Sequence, residues 1–307
     1  MATSGSYNFS VSRNDICYAS LRVVGALASG ETPEASELTE AIQALNMMVK
    51  SWQGSGLEVW AAKRATLFLQ LNQSEYALGP SGDHATHSYV ETAIRVAGIA
   101  TDTTIEVDST TGMTVADNVG IVLDSGSIHW TTIATIPDAD TITIATGLPS
   151  GVAVDKAVYA YTSKIPRPVR IIQAFTRNTS DQDYTVYPWH RDEHWSMYDK
   201  TLISPPTRYF YEAHIPNGTL YTNYRPLDVT ETLELVYHRP FEDFDAAGDE
   251  PDFPQEWFEA LKYGLALRLA PEYGRMSQDL VMLAEASKAN AEAAYRDQPR
   301  AVIPTAF

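Results

Sequence analysis

The sequence predicts an α+β protein: a discontinuous helical bundle from both chain ends, with a large inserted β region that includes a small β-barrel or sandwich. Three observations carry this prediction. The first ~60 residues and the last ~55 place apolar side chains at a 3.6-residue period, whereas the middle consists of short β-branched runs broken by turn residues. Neither terminal helical pair has enough apolar surface to be a domain by itself, so the two pairs are expected to pack on each other. With 44% hydrophobic side chains among 307 residues, the chain can build a packed core.

Residues 1–60 read as a helical hairpin. Ser12 is the expected N-cap of a helix over about 12–27, with Asp15 three residues on as its capping-box partner. Ile16, Ala19, Val23, Val24 and Leu27 form its apolar stripe, and Gly30 ends it. A second helix opens at Thr32-Pro33 or Ser36, carries Leu38, Ile42, Leu45, Val49 and Trp52 on one side, and stops at Gly54 and Gly56. Residues 61–79 and 166–249 read as an α+β middle region. It should hold strands near Phe68 and over 170–177, 207–212 and 232–238, a short helix over 191–200, and a hairpin turn at Asn217-Gly218.

Residues 80–165 read as an inserted all-β unit, with strands over 104–108, 119–124, 128–136, 141–146 and 157–162. Asp124-Ser-Gly126 and the 137–140 stretch supply its turns. Residues 250–296 read as the helical pair that completes the bundle. Pro254 lies at its start, Trp257, Leu261, Gly264, Leu265 and Arg268 share a face, and a second helix covers about 276–296. Residues 297–307 cannot be helical past Pro299 and read as an extended C-terminal arm.

Charge and composition exclude several functions. The chain has 22 Lys and Arg against 39 Asp and Glu, a formal net charge of -17, which repels phosphates and argues against a free-standing nucleic-acid binder. One cysteine excludes an intramolecular disulfide and CxxC-type zinc sites. The first six residues have neither the basic nor the apolar region of a signal peptide. No run approaches the ~18 apolar residues of a membrane span, so no membrane contact is expected. Nucleotide-binding glycine motifs and the GxSxG of serine hydrolases are missing, and no cofactor is expected.

Several stretches carry potential chemistry. His190-Arg-Asp-Glu-His194 matches the HxxEH pattern in which i and i+4 histidines hold zinc. It follows Pro188 and opens a short helix, which favours a capped surface helix with flanking tryptophans over a metal site. His84 and His87 read as polar loop residues, and Cys17, on the first helix, as a buried structural thiol. Between 240 and 261 lie eight acidic residues, no basic one, and five aromatics: Phe241, Phe244, Phe253, Trp257 and Phe258. The strip is either a solvated linker or an aromatic-anchored interface for another subunit or another protein, Phe241, Phe244, Phe253, Trp257 and Phe258 being its candidate anchors.

The helical segments resemble the head-to-tail adaptor family of short-tailed bacteriophages, also called tail accessory factors or packaged-DNA stabilisation proteins. The matching stretches are Ala19-Ser-Leu-Arg-Val-Val-Gly25, residues 37–52 and Gly56-Leu-Glu-Val-Trp60, then residues 253–261, Tyr263-Gly-Leu-Ala266 and Leu269-Ala-Pro-Glu-Tyr273. The middle, from Pro206-Thr-Arg-Tyr-Phe-Tyr211 through Asn217-Gly-Thr-Leu-Tyr221 to Arg239-Pro240, is similar to tail tubular protein A. The resemblance implies a homo-oligomeric, dodecameric ring in the virion at the head–tail junction, made in the host bacterial cytoplasm. Such a ring binds the portal protein, carries tail nozzle or fibre proteins, and lets double-stranded DNA pass without sequence-specific binding.

The family's C-terminal arm reaches the portal, which maps the portal contact onto Arg300, Val302, Ile303, Pro304 and Phe307. Neither catalytic nor metal-binding residues are expected on this reading. The alternative is a peptidoglycan-degrading glycan hydrolase with a carbohydrate-binding β unit, for which the sequence nominates no carboxylate pair.

Overall fold

The computed structural model describes residues 5–54 and 59–294. The protein is α+β and divides into two compact units, one from Met1–Ala61 with Phe241–Phe307, the other Ala62–Pro240. In chain order the helices are α1 (Arg13–Val24), α2 (Ala35–Gly54), α3 (Arg191–Ser196), α4 (Phe258–Leu269) and α5 (Gln278–Ala294).

The first unit contains α1, α2, α4 and α5. Ser12 caps α1 through a reciprocal box: its hydroxyl accepts from Asp15 N at 3.2 Å, and its own N–H donates to Asp15 Oδ2 at 3.0 Å. Gly25, at φ +78°, closes the helix in the left-handed conformation that a residue without a Cβ reaches at least cost. The buried face of α1 is Ile16, Cys17, Ser20, Leu21 and Val24, rotated from the stripe the spacing suggests because Ala19 and Val23 are only half-buried. The Ser20 hydroxyl makes that rotation tolerable, lying 2.8 Å from Ile16 O and 2.9 Å from Lys262 O of α4.

From α2 come Ala41, Leu45, Met48, Val49 and Trp52, which share one core with Leu261, Leu265 and Leu269 of α4 and with Leu280 of α5. A Cβ on Gly264 would meet Trp52 at 2.9 Å and Met48 Sδ at 3.0 Å, so the missing side chain is what lets α4 approach α2.

The second unit holds two curled sheets. Its strands are β1 (Ala62–Phe68), β2 (Glu75–Leu78), β3 (Ala85–Thr86), β4 (Val90–Ala93), β5 (Thr104–Glu106), β6 (Asn118–Val122), β7 (Ile128–Thr135), β8 (Thr141–Ile144), β9 (Ala157–Tyr161), β10 (Arg170–Arg177), β11 (Asp183–Pro188), β12 (Arg208–Glu212), β13 (Gly218–Thr222) and β14 (Thr232–His238). The eight-stranded sheet runs β2-β13-β12-β11-β10-β14-β1-β3, antiparallel except for the short β11–β12 pairing. Period-2 alternation puts Leu233, Leu235 and Tyr237 of β14 on its concave side with Leu67, Tyr76, Ala174 and Leu220, a single core the sheet curls around.

The six-stranded sheet runs β4-β9-β6-β7-β8-β5 and closes on itself. Ile94 just past β4 bridges Val107 just past β5, with Arg95 N donating to Glu106 O at 2.9 Å and Asp108 N to Ala93 O at 3.0 Å. Closure leaves no free edge and encloses Ile94, Ile105, Val119, Ile121, Ile142 and Val158.

Two boundaries differ from the sequence reading. The division falls between Pro240 and Phe241 rather than after 249, because Phe241 and Phe244 belong to the helical core. Residues 80–165 do not stand apart either. Phe68 of β1 and Val229 pack against Val122, Ile128, Tyr159 and Tyr161, a buried seam that joins the two sheets into one unit.

Candidate functional site

The aromatic strip between 240 and 261 is not an exposed interface. Phe241, Phe244, Phe253 and Trp257 are buried in the helical unit, and only Phe258 stays half-buried, beside Phe9. Trp257 lies 5.0 Å from Trp60 and 5.8 Å from Trp52 between ring centroids, and Phe241 stacks on Trp60 with planes 8° apart. The side chains alternate because the backbone is tied down. Phe244 N donates to Asn46 Oδ1 at 2.9 Å, Lys50 Nζ donates to Phe241 O at 2.6 Å, and Arg13 donates to Asp245 O at 2.8 Å. The rings turn into the core and Glu242, Asp243, Asp245 and Glu250 are left in solvent. Four of the five aromatics are thus taken by the chain's own core rather than offered to a partner.

Exposed apolar side chains occur instead along 184–203, where Tyr184, Tyr187, Trp195, Tyr198, Leu202 and Ile203 are each at least 40% accessible. The sequence signal for them was weak, since exposure of an aromatic depends on which face its strand or helix presents.

The HxxEH histidines do not form a metal site. His190 is the exposed residue before α3, and α3 has six residues. His194 is buried among Trp189, Trp195, Phe210 and Tyr221, with centroid separations of 5.7, 5.2, 6.1 and 5.0 Å. Burial, then the nearby Lys200 charge, holds its pKa below the ordinary histidine value. Among the described residues no group of three or more His, Cys, Asp or Glu is placed to hold a metal ion.

His84 and His87 also have structural partners. His84 lies on Trp130 and accepts or donates at Tyr161 Oη, 2.7 Å away, while His87 Nδ1 is 2.8 Å from Arg64 O. Cys17 is fully buried, and desolvation pushes its thiol up to about 11, which keeps it protonated at neutral pH. The arm residues Arg300, Val302, Ile303, Pro304 and Phe307 lie outside the described residues.

What the fold does bring together is a cleft of about 490 Å³ between the two sheets of the β unit. One wall comes from the closed sheet, with Tyr89 and Glu91 at β4 and Asp155, Lys156 and Tyr159 at β9. The other comes from the β10–β11 turn and the approach to β14, with Arg177, Asn178, Asp181 and Thr230. The turn is pre-set: Asn178 Oδ1 accepts from Ser180 N at 2.9 Å and Gln182 N at 3.0 Å. Arg177 is held bidentately by Asp183, at 2.7 and 2.9 Å. Partial burial, and next the Asp181 charge across the cleft, raise the pKa of Glu91. No motif announces this site, because its residues come from five separate stretches of chain. No protein-family model matches the chain, and no curated protein is significantly similar to it.

Proposed function

We propose that this chain is a structural virion protein of a short-tailed bacteriophage, the subunit of a dodecameric adaptor ring between portal and tail. In this reading a discontinuous helical bundle, made by the two chain ends, is the ring-forming frame, and the β region is an insertion that offers surface to tail nozzle or fibre proteins. The C-terminal arm, 297–307, docks on the portal. The ring extends the DNA channel, and its acidity suits that role, since each basic contact to a phosphate would add grip to DNA that must slide.

One observation supports the reading above the rest. The stretches that carry the family resemblance lie at opposite ends of the chain, yet their apolar residues share one core: Leu21 and Val24, Leu45, Met48 and Trp52, then Phe253, Trp257, Leu261 and Leu265. A shared core between segments so far apart in the chain is what a frame built from both chain ends requires.

The test is electron microscopy of the purified protein mixed with portal rings. Rings of this protein seated on the portal are expected, and deletion of 297–307 should leave the fold intact while weakening the complex. No oligomer and no complex at any ratio, or clearing of peptidoglycan in a zymogram that a single carboxylate substitution abolishes, would overturn the proposal in favour of a cell-wall hydrolase.

A further inference from the structure

We propose that residues 190–201, the loop that carries α3, form an acid-released flap on the outer face of the eight-stranded sheet, with His194 as its latch. The inference concerns the β unit by itself and is independent of ring formation.

The flap has fixed ends and a weakly held middle. It leaves the sheet where Trp189 N donates to Tyr209 O at 2.6 Å. It rejoins where Arg225 N donates to Leu202 O at 2.9 Å and Ser204 N to Arg225 O at 3.0 Å. Between these ties α3 has six residues, less than two turns, and no side-chain cap at its N-terminus. Of its six described residues only His194 is buried, at 5% accessible, while Trp195 beside it and Tyr198 just beyond are exposed. One side chain therefore holds the helix down. An ion pair between Arg191 and Glu212, 3.2 Å apart, adds a clasp at the surface, where such pairs contribute little.

The socket for His194 belongs to the sheet face that looks away from the core. Tyr209 of β12 and Leu220 of β13 turn inward, so their neighbours Phe210 and Tyr221 turn outward and meet the imidazole.

This socket suits a neutral ring and not a charged one. A protonated imidazole carries two N–H donors, yet among the described residues Nδ1 has no hydrogen-bond partner. Indole faces attract cations, but both indoles here already have one. Lys200 Nζ lies 4.5 Å from the Trp195 ring, and the Arg208 guanidinium 5.5 Å from that of Trp189. From β12, the Glu212 carboxylate is shared between Arg191 and His214, the latter at 3.0 Å. Glu75 of β2 is exposed, the Tyr221 hydroxyl of β13 is held protonated by partial burial, and His190, Asp192 and Glu193 face solvent. Burial and the Lys200 charge accordingly lower the His194 pKa by more than Glu75 and Glu212 raise it.

The direction of the response follows from linkage. The seated ring takes up a proton less readily than the released one. Opening therefore grows as pH falls below the ordinary histidine value of ~6.5, by up to about tenfold per pH unit, until the seated ring is itself protonated. Release uncovers Phe210 and Tyr221, which stack with planes 17° apart, and turns a helix-covered patch into an aromatic surface.

The experiment is hydrogen exchange of the full-length protein, read by mass spectrometry from pH ~7.5 to ~5 across the histidine range and corrected for the intrinsic pH dependence of exchange. Fluorine NMR of fluorotryptophan-labelled protein runs in parallel. Opening of 190–201 is expected to rise about tenfold per pH unit below ~6.5 while β14 stays protected. The Trp189 and Trp195 signals should shift over the same range. His194→Leu puts an apolar side chain that does not titrate into the socket and should flatten the pH dependence. His194→Gln does the same should His194→Leu fail to fold, because the slope and not the level of opening is read. His190→Gln, at an exposed position, should leave the slope unchanged.

Opening of 190–201 that does not vary with pH overturns the proposal. So does a slope that survives in the His194 variants, or one that His190→Gln removes. Loss of protection in β14 at the same pH overturns it too, since acid would then be loosening the whole β unit. Ring assembly on the portal is read separately, so either result can fail without the other.

Discussion

His84 stacks face to face on Trp130, with ring centroids 3.7 Å apart and planes 6° from parallel. The contact crosses the seam between the two sheets of the β unit, and the Tyr161 hydroxyl lies 2.7 Å from the same imidazole. It also accounts for Gly120, which pairs with Trp130 across β6 and β7 and whose Cβ would lie 2.6 Å from the indole. The indole thus has His84 against one part of it and a glycine backbone against another, and any side chain at 120 would push it toward the histidine.

Acid should weaken this seam. Burial, then the Lys164 charge, lowers the pKa of His84 from 6.5 to about 3. Between those values the unfolded chain binds a proton that the folded one does not, so the contribution to stability is fully present above 6.5 and is lost as pH falls toward about 3. His194, also lowered, acts in the same direction. Thermal unfolding followed from neutral pH down to about 5.5, near the reference histidine pKa, should show a falling Tm for the β unit. In His84→Phe the slope should be shallower, and an unchanged slope would mean that His84 does not titrate as the stack requires.

Gly120→Ala should destabilise the β unit by ~1–3 kcal/mol, the usual cost of overpacking, because the added methyl meets the Trp130 ring. Differential scanning calorimetry and the shift in Trp130 fluorescence read the effect. Gly126→Ala makes a useful contrast: open space surrounds that Cβ, and only its φ of +82° opposes the change.

The aromatics of the 240–261 strip should behave as core residues. Phe253→Ala and Trp257→Ala are each expected to cost ~3–5 kcal/mol in chemical denaturation of the helical unit. Had these side chains formed an interface, the same changes would alter association while leaving the stability of the isolated subunit untouched. Measuring both separates the two outcomes.

Cys17 should be silent in the native protein. Its thiol is fully buried and raised to about 11, so Ellman's reagent should react only after unfolding. Rapid labelling at neutral pH without denaturant would contradict the packing of α1 against α4.

Local chemistry was legible in the sequence because its partners lie within a few residues of one another. The Ser12–Asp15 box spans one helical turn, β10 and β14 keep the limits of their β-branched runs, and Gly126 turns the chain where the Asp-Ser-Gly signal stands. Burial could not be read that way. Whether Phe241 and Trp257 face solvent depends on Asn46, Lys50 and Trp60 arriving from the other end of the chain, and nothing near Phe241 encodes that arrival.

The cleft is the extreme case. Glu91 and Asp181 are unremarkable carboxylates in an acidic chain until antiparallel pairing closes one sheet, curls the other, and sets the two lips opposite each other. The sequence by itself determined the elements, their caps and turns, and the acidic character of the surface. Only the tertiary structure decided which aromatics are core and which carboxylates share a site, because both follow from contacts between segments far apart in the chain.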